Sequence, residues 1–145
     1  MNPRILFVDD EDSIRLTLSA LLQSKGFEVT TAATVQDALA LIMQQKFDVL
    51  IADLNISMPG DGFTVISAMR SAQPEALRLI LTGFPDFESA LRAIQEQVHE
   101  YVIKPAEIDE LVAKIRTWSS VKPPSRRDYP RQSHIHYSGM VEARE

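Results

Sequence analysis

The chain has 145 residues, 45% of them hydrophobic and 24% charged, with a formal net charge of −5. That profile suits one globular domain with a core, and the acidic balance argues against nucleic acid as a partner of the main body. No cysteine is present, which excludes a disulfide framework and thiolate metal sites. The start lacks the layout of a signal peptide and no apolar run could span a bilayer, so the expectation is a cytoplasmic protein with no membrane partner.

Ile5–Val8 predicts the first strand, and it runs straight into Asp9-Asp10-Glu11-Asp12. Asp12 is the expected N-cap of the first helix, whose apolar stripe is Ile14, Leu18, Leu21 and Leu22 and whose stop is Gly26. Phe27–Thr31 predicts the second strand. Thr34 with Asp37 three residues on opens the second helix, striped by Val35, Ala38, Leu39 and Ile42. Val49–Ala52 predicts the third strand, ending at Asp53, and a weaker helix over Phe63–Ser71 stops at Gln73-Pro74. Asp61, between two glycines, reads as a turn or cap residue.

Leu77–Leu81 predicts the fourth strand, followed by Thr82 and Gly83. Phe87, Leu91 and Ile94 form the stripe of the fourth helix, and Tyr101–Ile103 the fifth strand, followed by Lys104-Pro105. Ile108, Leu111, Val112 and Ile115 stripe the last helix. Residues 121–145 are rich in proline, lack a period and carry net positive charge. They read as a linker or disordered tail after a domain at 1–120. Arg126-Arg127 and the pair His134 and His136 in that tail read as solvated residues, and no helix-turn-helix pattern is present.

Strands alternating with helices predict a doubly wound α/β fold: a parallel sheet in the order 2-1-3-4-5 with helices on both faces. Ligands of such sheets bind at the carboxyl ends of the strands. Asp9, Asp10, Asp53, Thr82 and Lys104 all follow strands at that rim. Clustered carboxylates repel, and a divalent cation relieves them. An all-oxygen site with few protein ligands suits Mg²⁺, with one of Asp9 and Asp10 bound directly and the other through water. Lys104 adds a point charge and Thr82 a hydroxyl, while Gly83 permits close backbone approach. A carboxylate so flanked suits phosphoryl transfer to itself, and Asp53, ending the central strand, is the candidate nucleophile.

"ILFVDDED", "VLIADLN", "LILTG" and "YVIKP", in this order and spacing, resemble the receiver domain of bacterial two-component response regulators over roughly residues 3–120. The resemblance implies the flavodoxin-like (βα)5 receiver fold and a phosphorylation-dependent signalling switch. Asp53 would be the phosphoacceptor, and Asp9, Asp10, Asp53 and the Asn55 carbonyl would hold Mg²⁺. Thr82 would be the switch hydroxyl, Lys104 the phosphate-binding lysine before a cis proline bond, and Tyr101 the aromatic switch residue. It implies a sensor histidine kinase or phosphotransfer protein as partner. It also implies a face made by helix four, strand five and helix five that forms a homodimer or docks an output element. Phe84 lies near the expected site mouth, where a bulky side chain would hinder an attacking water. Met58-Pro59 stand further from Asp53 than in typical receivers, which implies an extra residue in that loop. Two other readings compete: an aspartate phosphatase of the haloacid-dehalogenase type, whose Asp-x-Asp pattern Asp10 and Asp12 match, and a receiver-like module used only for binding.

Overall fold

The computed structural model describes residues 2–121 and 136–137. Strands β1 (Arg4–Val8), β2 (Glu28–Ala32), β3 (Val49–Asp53), β4 (Leu77–Thr82) and β5 (Glu100–Ile103) alternate with helices. These are α1 (Asp12–Ser24), α2 (Val35–Gln44), α3 (Asp61–Ala72), α4 (Phe87–Gln95) and α5 (Ile108–Ser120). The five strands pair in parallel in the order β2-β1-β3-β4-β5, as the alternation predicts. A two-residue strand, β6 (His136–Tyr137), joins in parallel at the outer edge, opposite Glu100 and Tyr101. The rest of the tail, 122–135 and 138–145, including Arg126, Arg127 and His134, lies outside the described residues.

The pleat sends neighbouring side chains to opposite faces, and this divides the core in two. Leu6, Val8, Leu50, Ala52, Ile80 and Tyr101 face α2, α3 and α4. Ile5, Phe7, Ile51, Leu79, Leu81 and Val102 face α1 and α5. Every residue of β3 and β4 is buried, as expected of strands covered on both sides. The Thr34 hydroxyl caps α2 by accepting from Asp37 N at 3.0 Å, and Gly26 leaves α1 at a φ of +99°, open to glycine without strain.

Two expectations fail locally. Glu11, not Asp12, is the N-cap of α1, and Asp12 is its first residue, turned out to pair with Arg15 at 2.6 Å. In α4 the expected stripe faces outward: Phe87 is 79% exposed, Leu91 43% and Ile94 39%, while Ala90 and Ala93 meet the core. The physical reason is space. The fully buried Tyr101 ring belongs to the same cluster and its hydroxyl bonds Ser89 of α4, so only small side chains fit beneath the helix.

Candidate functional site

Parallel register brings the rim together. Asp53 ends β3 opposite Leu81, Thr82 follows on β4 opposite Ile103, and Lys104 N continues that ladder by donating to Thr82 O at 2.8 Å. From β1, carboxylate oxygens of Asp9 and Asp10 come within 4.8 Å of one another and of Asp53. Asp9 is fully buried, Asp53 nearly so, and Asp10 is exposed.

Lys104 reaches across to this group. Its Nζ stands 2.9 Å from Asp53 Oδ1 and 3.3 Å from Asp9 Oδ2. Asp9 Oδ1 also accepts from Glu11 N at 2.9 Å. Burial pushes the Asp53 carboxyl above its ordinary value, and the Lys104 hydrogen bond pulls it only part of the way back, against the charges of Asp9 and Asp10. Burial works against the Lys104 ammonium too, but the hydrogen bond and charge of Asp53, then those of Asp9, outweigh it and raise its pKa. One lysine thus answers two of the three acids. An exposed Asp10 beside a carboxyl held up by burial fits an added hard cation, whose charge would relieve both.

The loop after β3 is pinned by its own polar groups. Asn55 Oδ1 accepts from Gly60 N at 2.9 Å, and Asp61 Oδ2 accepts from Ser57 N at 3.2 Å and Met58 N at 3.0 Å. Asp61, the first residue of α3, thus closes the preceding turn with its side chain, in line with its reading as a turn or cap residue. Asn55 is exposed beside the acids, and Ile56 tucks into the core. Thr82 is buried, with Oγ1 accepting from Phe84 N at 3.0 Å. Phe84 itself is 82% exposed. The Lys104-Pro105 bond is cis. Tyr101 lies away from the rim, inside the core.

Some residues escaped the sequence. Gly83 was expected to permit a close approach, yet a Cβ there would meet Lys104 Cδ only at 4.0 Å. The crowded glycine is Gly62, where a Cβ would stand 2.4 Å from Asp53 O and 2.9 Å from Leu54 Cα. Its Gly-Asp-Gly setting signals a turn but not this contact. Arg15 Nη1 donates to Asp9 O at 2.9 Å and steadies the first acidic residue. Asp12 points away from the acidic group, so the Asp10–Asp12 pairing of a dehalogenase-type phosphatase is not assembled.

A (βα)5 sheet with three acids, a hydroxyl and a lysine on its rim defines a class, and the comparisons agree. The family "response regulator receiver domain" matches residues 5–116, and the chain belongs to it. Regulatory protein AtoC of Escherichia coli (strain K12) is 38% identical over 109 residues, which cover 74% of this chain and 23% of AtoC. The chain thus spans less than a quarter of that relative's length. A response regulator from Burkholderia pseudomallei, solved with a phosphorylated aspartic acid, a calcium ion and citrate, superposes with TM-score 0.74 at 28% identity, covering 82% of this chain and 69% of that one. TrrA from Thermotoga maritima, solved with Mg²⁺-BeF, gives TM-score 0.70 at 32% identity, covering 81% and 98%. Residues 5–116 thus form a receiver domain, the phosphorylation-based signalling module of that family. No helix among the described residues is long and apolar enough to cross a membrane.

Proposed function

We propose that this chain takes a phosphoryl group onto Asp53 from a sensor histidine kinase or phosphotransfer protein and signals through its α4–β5–α5 face. The observation that carries the reading is Lys104 Nζ at 2.9 Å from Asp53 Oδ1, within a group of acids that a divalent cation would relieve. An Asp53 oxygen forms the new bond to phosphorus as the bond from phosphorus to the donor's imidazole nitrogen breaks, and the imidazole keeps that electron pair. Lys104, kept charged by its two carboxylates, swings its ammonium from carboxylate to phosphoryl oxygen. Mg²⁺ held by Asp9, Asp10, Asp53 and the Asn55 carbonyl would neutralise phosphoryl charge when bound. Thr82 gives up its bond from Phe84 N and donates to the phosphoryl group.

Tyr101 is already fully buried, with its hydroxyl on Ser89. The switch therefore rests on shifting α4 rather than on swinging this ring inward. The outward Phe87, Leu91 and Ile94 are what a second copy or an output element would cover. Phe84, whose N bonds Thr82 Oγ1, is the residue proposed to slow attack by water on the phosphorylated form.

The test is intact mass after incubation with acetyl phosphate, with and without Mg²⁺, for the wild type and Asp53→Asn. A gain of one phosphoryl group that needs both Mg²⁺ and Asp53 is expected. No gain in a folded protein, or an equal gain in Asp53→Asn, overturns the reading.

A further inference from the structure

Helix α4 is linked to the phosphoacceptor's backbone by a short chain of contacts that does not pass through Thr82 or Tyr101. Gly62 is pressed on the Asp53 carbonyl, and its N donates to Leu54 O at 2.8 Å. The first turn of α3 is therefore packed directly on the Asp53–Leu54 backbone. The next residue, Phe63, is 2% exposed, and the Arg92 guanidinium of α4 lies over its ring at 4.6 Å. Arg92 Nη1 also stands 3.7 Å from where a Cβ on Gly60 would sit, beside the turn that Asn55 Oδ1 closes. One side chain of α4 thus covers both residues that frame the loop leaving Asp53.

Above the shared core, the bridge runs beside an open groove. The groove, of about 400 Å³ and lined by Leu39, Phe63, Ser67, Arg92 and Glu96 among others, runs along α3 and α4 and shares no residue with the acidic rim. Glu96 holds the far side. Its Oε2 is 4.0 Å from Arg92 Nε, its Oε1 is 3.7 Å from Arg70 Nη2, and its backbone oxygen accepts from Arg70 Nη1 at 2.8 Å. Beneath, α4 offers the core two alanines and the Ser89–Tyr101 bond. A helix held by polar clamps beside a groove can shift as a body, because few interdigitated side chains resist it.

We propose that Arg92 is a positioning residue that couples α4 to the Asp53 backbone through Phe63, Gly62 and the Gly60 turn. Occupying the acidic rim then shifts α4, and shifting α4 alters affinity at the rim. This deepens the proposed switch and rests on it. Coupling between two sites is reciprocal, so the effect is measurable at both ends. Guanidinium stacking on a ring is poorly replaced by an ammonium, so Arg92→Lys should restore only part of it.

The experiment uses the full chain as wild type, Arg92→Ala, Arg92→Lys and Arg116→Ala. The last removes a like guanidinium–ring contact, over Phe27 at 4.9 Å, on the other side of the sheet. Mg²⁺ affinity is read by titration, acetyl-phosphate modification by intact mass, and α4 amide exchange with and without each reagent. In Arg92→Ala, metal-free exchange in α4 should quicken, and Mg²⁺ affinity should change by about fivefold, the low end of allosteric coupling. The α4 response to Mg²⁺ should vanish, while Arg116→Ala behaves as wild type. An Arg92→Ala protein with wild-type affinity and an intact α4 response overturns the coupling alone. A wild type that binds Mg²⁺ but is never modified overturns the phosphorylation reading, and the Mg²⁺ and exchange data still decide the coupling. A wild type that takes up neither reagent overturns both.

Discussion

Helices α3 and α4 each follow a strand that ends at the acidic rim, yet they are held to the sheet by different means. α3 buries Gly62, Phe63, Val65, Ile66 and Met69, while α4 buries Ala90 and Ala93 and leaves Phe87, Leu91 and Ile94 outside. Burying a large apolar side chain fully contributes about 1.5–3 kcal/mol, and an alanine much less. α3 is thereby fixed against Asp53, and α4 rests on the Ser89 and Arg92 contacts. A receiver needs this asymmetry: the chemical site must be preorganised, and the element that reports its state must have two positions of similar free energy.

Truncations on the two helices break the comparison most directly. Ile66→Ala should cost about 3 kcal/mol in urea unfolding, the usual loss for a fully buried isoleucine. Ile94→Ala should stay within about 0.5 kcal/mol. Equal losses would mean that α4 is as firmly packed as α3. Next, Lys104→Met should slow acetyl-phosphate modification of Asp53 by about 100-fold, the usual effect of removing one charge-stabilising donor, as timed by intact mass. The same change should leave modification dependent on Mg²⁺.

Gly62→Ala tests the tight side of the comparison. The added Cβ meets backbone, which cannot swing away, so a destabilisation of about 2 kcal/mol is expected from overpacking, read as a lower urea midpoint. Displacement of the Asp53 carbonyl should weaken Mg²⁺ binding as well. A variant as stable as wild type would mean that α3 is freer than the contact implies.

The smallest effect concerns the connection out of α4. Burial first, then the Arg78 guanidinium, pulls the half-buried His99 imidazole down to about 3, while Arg78 N donates to its Nδ1 at 3.0 Å. A histidine with a depressed pKa contributes stability that is present above its unfolded value of 6.5 and lost as pH falls toward about 3. The urea midpoint of wild type should therefore fall between pH 6.5 and 4 more than that of His99→Asn, whose side chain can still accept from Arg78 N. Trp118, its ring centroid 4.7 Å from that of His99 at a tilt of 50°, supplies the fluorescence signal. Parallel slopes would place the acid sensitivity elsewhere.

Much of this was readable in the amino-acid order because its causes are local. Period two or period 3.6, a Thr34–Asp37 cap and Gly26 mark the elements, and alternation of strands and helices dictates a parallel sheet. Residues that directly follow strands must then meet at one rim, so Asp9, Asp10, Asp53, Thr82 and Lys104 were legible together. Tertiary structure alone decided what depends on competition for space. Which face of α4 turns inward hangs on the volume left by Tyr101, and a periodic stripe carries no information about that volume. That Gly62 touches the Asp53 carbonyl, and that Arg92 reaches Phe63, depends on how two helices settle on a twisted sheet, a distance no spacing in the chain records. Arg78, inside an apolar strand, tells the same story. Its burial is tolerable because the carbonyls of Pro74, Ala76 and Gln97 accept from its guanidinium at 3.0–3.3 Å, and only the folded chain brings them there.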